Sequence, residues 1–241
     1  MNKRSDIISF FISFFLISII FTFAGTLIAV KSKTIPSSSN SPRKPTIVID
    51  AGHGGEDGGA STYGDVIEKE LNLLIASDLC DTLRFCGVNV VMTRTEDILL
   101  YDKNSDHKGK KKSQDLAKRL EIANSTENAI LISIHMNAFP EEKYKGLQVY
   151  FSPHTESSYK LANSIQNNVR TYIAPNNNRK VKKADSKIYL LDRFKSTGIL
   201  IECGFLSNPE EYELLCSEEY RKQLSCIMAK SILDFIAIGE R

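Results

Sequence analysis

From residue 46 onward, short apolar, β-branched runs alternate with stretches whose apolar residues recur at three- and four-residue steps, and three of the runs end in polar clusters. This alternation predicts an α/β fold: a three-layer sandwich with a largely parallel, twisted sheet, helices on both faces, and a hydrophobic helix preceding it at the N-terminus. The chain has 241 residues, so the body that follows the N-terminal segment is the size of one compact domain. A hydrophobic content of 42% and a charged content of 25% exclude a disordered chain and a bundle of membrane spans. The net charge of +2 offers no argument for a nucleic-acid partner.

Lys3 and Arg4 precede residues 7–30, a run with no charged side chain that is long enough to span a bilayer as a helix. Residues 1–30 therefore read as a signal peptide or a transmembrane anchor. The small residues Ala24, Gly25 and Ala29 offer weak cleavage sites, and Lys31 and Lys33 on the far side blur the positive-inside signal. Either reading exports the body, to be membrane-anchored or secreted. No cysteine lies near the end of the run to take a lipid. Residues 31–45, rich in Pro and Ser, read as an extended linker, and 46–241 as a single folded domain.

The body opens with a strand over 46–50, which stops at a Gly-rich loop over 52–59. Leu71, Leu74, Ile75, Leu79 and Leu83 then mark a helix that starts near Glu68 and ends at Gly87. A strand over 88–93 follows. After a loop containing Lys108, Lys110, Lys111 and Lys112 comes a helix over 113–124, with Ser113 as its N-cap. That lysine stretch is either a solvated loop or a contact for an anionic polymer. Further strands are expected over 129–134, 147–151 and 198–203, and helices over 157–173, 209–215 and 218–238. No internal repeat is visible.

Three polar clusters lie at or just beyond the ends of buried-looking strands: Asp50 to His53, His135 to Asn137, and Glu202. Parallel strands leave their carboxyl ends on one edge of the sheet, where open α/β folds build their sites. Glu68, at the start of the following helix, can face the same edge. Two imidazoles and a carboxylate are a three-ligand set for one catalytic zinc ion, which keeps its fourth position for water or substrate. His53, Glu68 and His135 would be that set. Zinc would acidify water and polarise a carbonyl, and Glu202, a carboxylate on an apolar strand with its pKa raised by burial, is the candidate general base.

Each of these residues also has a plainer reading. A lone histidine after a strand is often a loop or core residue, and a Gly-rich turn often serves only to turn. Glu202, however, is costly to bury unless it works or pairs, and Gly52, Gly54 and Gly55 around His53 would let backbone approach a ligand closely. Asp50 is either a loop cap or an orienting partner for a ligand. The loop lacks the order of a phosphate-binding loop. His107 and His154, in lysine- and proline-containing loops, receive no ligand role. Of five cysteines, Cys80, Cys86, Cys216 and Cys226 fit apolar or helical patterns as core residues, whereas Cys203 adjoins Glu202 and would need a histidine partner to act as a nucleophile.

The segments Ile49-Asp50-Ala51-Gly52-His53-Gly54-Gly55 with Asp57-Gly58-Gly59-Ala60, Glu68-Lys69-Glu70-Leu71-Asn72-Leu73, Ser133-Ile134-His135-Met136-Asn137-Ala138, and Ile201-Glu202-Cys203-Gly204-Phe205-Leu206-Ser207-Asn208-Pro209-Glu210 resemble four ordered motifs of one family. That family is the zinc-dependent N-acetylmuramoyl-L-alanine amidases of the amidase 3 type. The resemblance implies zinc on His53, Glu68 and His135, Glu202 as general base, and peptidoglycan as substrate, cut between the lactyl group of N-acetylmuramic acid and L-alanine. Thr93, Arg94, Arg119, Ala123 and Asn124 also look like family positions, by packing or by substrate contact. The long segment over 101–112, which could shape the groove, departs from the common pattern. With an N-terminal anchor and no wall-binding repeats, it resembles the spore-cortex, germination-specific branch, which strips stem peptides so that muramic δ-lactam can form. An activator protein is a further partner that the sequence leaves open. Two rival readings are a zinc peptidase acting within the stem peptide and a catalytically silent wall-binding regulator.

Overall fold

The computed structural model describes residues 44–60, 66–102, 104 and 109–239. The expected anchor over 1–30 and residues 31–43 of the expected linker lie outside the described residues, as does His107. Among the described residues no helix is long and apolar enough to cross a membrane.

Strands β1 (Thr46–Ala51), β2 (Val90–Met92), β3 (Ala129–Asn137), β4 (Gln148–Phe151), β5 (Lys182–Lys183) and β6 (Gly198–Phe205) form one sheet in the order β2-β1-β3-β6-β4-β5. The β2-β1-β3-β6 portion is parallel, and β4 runs antiparallel to β6. The helices are α1 (Glu68–Phe85), α2 (Lys111–Ser125), α3 (Glu156–Tyr172), α4 (Tyr189–Arg193), α5 (Pro209–Cys216) and α6 (Glu218–Gly239). Helices cover both faces, as expected.

Side chains alternate between the faces of a strand, so each central strand feeds two separate clusters. On one face Ile47, Ile49, Ile132, Ile134, Ile199 and Ile201 pack against Leu71, Ile75 and Leu79 of α1, Leu161 and Ile165 of α3, and Leu224 and Met228 of α6. The four-residue steps within these helices bring each apolar stripe onto the sheet. On the other face Val48, Leu131 and Leu200 pack with Ala123 of α2 and with Leu190 and Leu191 of α4.

That second face changes character towards the carboxyl ends of the strands. Val48 gives way to Asp50, Leu131 to Ser133 and then His135, and Leu200 to Glu202. The register pairs Asp50 with Ser133, and His135 with Glu202. The row Val48–Leu131 thus gives way to a mixed row, Asp50–Ser133–Leu200, and then to the polar pair His135–Glu202. His135 and Glu202 sit inside their strands, one row short of the strand ends.

Several expectations need correction. Helix α2 begins at Lys111, with Lys110 in the N-cap position, and the Ser113 hydroxyl donates to the Lys110 carbonyl. Ion pairs of Lys111 with Glu56 (2.8 Å) and Lys112 with Asp57 (3.0 Å) tie this first turn to the Gly-rich loop, offsetting cations at a helix N-terminus. The two-residue β5 and the five-residue α4 are too short for any periodic signal. Cys80 is a core residue, but Cys86 and Cys226 are exposed. Cys203 lies in the core cluster on the face opposite Glu202, where burial pushes its thiol pKa up.

Candidate active site

Glu68 opens α1 and is 4% exposed. Its Oε1 lies 3.2 Å from His53 Nε2 and 3.0 Å from His135 Nδ1, and the two ring centroids are 5.0 Å apart at 76°. One ligand atom from each residue lies within 4.8 Å of the others, so the three could hold a metal ion. Glu68 is held in place by the backbone amide of Met136 on Oε1 (3.1 Å) and that of Ala60 on Oε2 (2.8 Å). Burial alone would raise its pKa, but hydrogen bonds with the His135 and His53 rings more than offset this and hold the carboxyl well below its usual range. For His53, burial favours the neutral ring, and Glu68 and Asp57 overcome it, so its pKa is raised. His53, Glu68 and His135, expected from sequence as one set, do converge.

The loop that carries His53 is shaped by close contacts. His53 itself has φ 60°, left-handed for a residue with a Cβ, and is followed by Gly54 at φ 141° and Gly55 at φ 53°. The Gly52 backbone runs directly under the His135 ring, and a Cβ there would stand 2.3 Å from Cε1 and Nε2. Gly52→Ala is therefore expected to push the His135 ring aside and lower kcat by about 10²-fold. The circular-dichroism spectrum should stay that of the folded protein. A kcat equal to wild type would show that the ring has room to spare.

Glu202 sits beside His135 across the β3–β6 pair, and its Oε2 is buried without a hydrogen-bond partner. Burial raises its pKa. It faces a cavity of about 260 Å³ that His53, His135, Lys112, Lys187 and Tyr189 also line. A buried, unpaired carboxylate oxygen beside a two-histidine, one-carboxylate donor set is what a hydrolytic metal centre needs: three ligands and a separate base. The residues present fit such a group.

Asp57 was visible in the sequence without a role, and it lies 2.9 Å from His53 Nδ1, with Lys112 beyond it. Lys187 and Tyr189 were missed because they belong to the short α4 region. Thr93, Arg94 and Arg119 are buried. Thr93 donates to Asp50 Oδ1 (2.8 Å), and Arg119 donates to Asp50, Asp115 and the carbonyls of Ala51 and His53. Ala123 is core and Asn124 exposed. Asp50 thus anchors a buried network of Thr93, Arg119 and Ser133 under the loop. His154 is exposed, bonded to the Asp192 carbonyl and outside the site.

A doubly covered α/β sheet with a metal-ready donor set and a buried carboxylate on one polar edge defines a hydrolase. The chain belongs to the N-acetylmuramoyl-L-alanine amidase family, whose family model matches residues 47–234, and it is a peptidoglycan amidase. The family is generally zinc-dependent. A germination-specific N-acetylmuramoyl-L-alanine amidase of Bacillus subtilis is 33% identical over 236 residues, 98% of this chain and 96% of that one. The structure of the CwlD amidase of Clostridioides difficile in complex with the GerS lipoprotein is similar, with a TM-score of 0.76 and 34% identity over 80% of this chain and 99% of that one. The amidase AmiC2 of Nostoc punctiforme gives a TM-score of 0.67 and 31% identity over 80% and 97% of the two chains.

Proposed function

We propose that this amidase hydrolyses the bond between the lactyl group of N-acetylmuramic acid and L-alanine, with His53, Glu68 and His135 holding one zinc ion and Glu202 as general base. The observation that carries this is the convergence of His53, Glu68 and His135 next to Glu202, which pairs with His135 across the sheet and whose Oε2 is buried without a hydrogen-bond partner. Bound zinc supplies Lewis acidity towards the scissile carbonyl and the attacking water.

The chain's own residues do the rest. Glu202 takes one proton from the water as its oxygen bonds to the carbonyl carbon, and the buried carboxyl then delivers that proton to the nitrogen as the C–N bond breaks. The products are a lactyl carboxylate and a free L-alanine amine. Asp57 places a carboxylate 2.9 Å from His53 Nδ1, on the far side of the ring from Nε2, which lies 3.2 Å from Glu68.

The likeness to the germination-specific relative supports a role in spore cortex, where removal of stem peptides precedes formation of muramic δ-lactam. The complex of the similar amidase with a lipoprotein supports an activator protein as partner. The uncharged run over 7–30 supports export with the chain anchored to the membrane or secreted. Digestion of purified peptidoglycan tests the reaction. Mass spectrometry should find free L-alanine amino termini and peptide-free muramic acid, both absent with a chelator and restored by zinc. Fragments cut between two amino acids would instead indicate a peptidase.

A further inference from the structure

Arg94 follows β2 and is 2% exposed, yet no carboxylate among the described residues forms an ion pair with it. Its guanidinium is spent on backbone carbonyls. Nε donates to Ala51 (2.8 Å), Nη1 to Glu96 (3.0 Å), and Nη2 to both Gly52 (2.9 Å) and Lys69 (2.8 Å). Burial and the neighbouring Arg119 charge lower its pKa to about 10. A cation buried at such cost calls for an account of what it holds.

The carbonyls it joins belong to two segments far apart in sequence. Gly52 immediately precedes His53, and Lys69 immediately follows Glu68. A single nitrogen, Nη2, therefore bridges the backbone beside one candidate ligand to the backbone beside another. The loop has ties of its own, a reciprocal Gly54–Asp57 backbone pair (2.9 and 3.0 Å) and bonds from the Glu68 and Lys69 amides to the Ala60 and Gly58 carbonyls. The Arg94 bridge, however, acts at its strained end, next to the ligand: His53 is left-handed, and Gly54 at φ 141° has room for no side chain, with a Cβ there falling 2.3 Å from the Ile98 carbonyl oxygen and 3.1 Å from Arg94 Nε. A planar guanidinium suits the task because its donors point in fixed directions, which an ammonium cannot reproduce.

We propose that Arg94 is a positioning residue that sets the separation of His53 and Glu68 and thereby the metal affinity of the centre. This rests on the reading that His53, Glu68 and His135 bind zinc. Arg94 touches neither metal nor substrate; it acts through the two backbones.

The test measures the zinc Kd of the full chain by competition with a chromogenic chelator, for wild type, Arg94→Lys, Arg94→Gln, Arg94→Met and His53→Ala. Outer-shell partners of metal ligands typically change affinity by about 10- to 100-fold. Arg94→Met is expected to raise Kd by that factor, with Lys and Gln, which keep some donors, recovering part of it. The thermal midpoint of the zinc-free proteins is read alongside. A lowered midpoint with wild-type Kd in all three Arg94 variants means that Arg94 only supports the fold, and overturns the proposal alone. Failure of all three to fold, with zinc-free wild type folded, overturns it in the same way. A wild-type Kd in His53→Ala overturns the ligand assignment itself, and the proposal with it.

Discussion

Glu202→Gln is expected to lower kcat by roughly 10²- to 10⁴-fold, the range for removal of a positioned general base, with zinc content equal to wild type. The amide keeps the shape of the carboxyl, so packing on β6 between β3 and β4 is preserved, but it cannot accept the water's proton. Retained zinc separates this from loss of the centre, because the donor set of His53, Glu68 and His135 is complete without Glu202. The pH profile gives a second reading. Burial raises the Glu202 pKa, and a base must be ionised to act. The rate should therefore climb with pH through a point above the ordinary glutamate range, and the residual activity of the Gln variant should lack that limb. An unaltered kcat would remove Glu202 from the mechanism. Loss of zinc together with activity would make it a ligand instead.

The residues of this centre were legible because each carries chemistry in a place where packing alone would not put it. Glu202 interrupts an apolar strand, His53 stands among glycines, and Glu68 begins a helix. The sheet could be read from its β-branched runs, since β1, β3 and β6 are buried on both faces. Other features leave no local trace. The left-handed His53 could not be read from residue types, because the bond that its carbonyl accepts there comes from Arg119, 66 residues away. Gly52 looked like a turn residue, whereas its missing side chain makes room for the His135 ring, 83 residues away by number. Ser113 has the chemistry of an N-cap, but tertiary ion pairs of Lys111 and Lys112 extend the helix past it. Arg94 and Arg119 could equally have bound substrate, and only their burial decides for the loop.

Arg119→Met should cost about 3–5 kcal/mol, the range for breaking a buried ion pair by removing one partner. Arg119 is 1% exposed and pairs with two carboxylates, Asp50 at 2.8 Å and Asp115 at 2.7 Å. Met fills much of the space but leaves both acids buried without their cation, and it frees the carbonyls of Ala51 and His53. For a domain of this size the thermal midpoint should fall by roughly 6–20 °C. The dependence on pH distinguishes lost charge from lost packing. Burial would raise the Asp50 pKa, but Arg119 and the Ser133 hydroxyl more than offset it and bring it to about 2, below the ordinary 3.8. In wild type, then, Asp50 contributes stability that is fully present above pH 3.8 and lost as pH falls towards 2. In the variant the same acid is buried without its cation, its folded pKa lies above the unfolded value, and protonation relieves the penalty. The difference between the two proteins in urea denaturation should therefore shrink as pH is lowered through that window. A deficit that stays constant from pH 7 to pH 2 would assign the loss to packing. Adding Asp50→Asn and Asp115→Asn to the variant should recover part of the stability at pH 7, because the stranded charges are then gone while the volume lost at residue 119 is not restored.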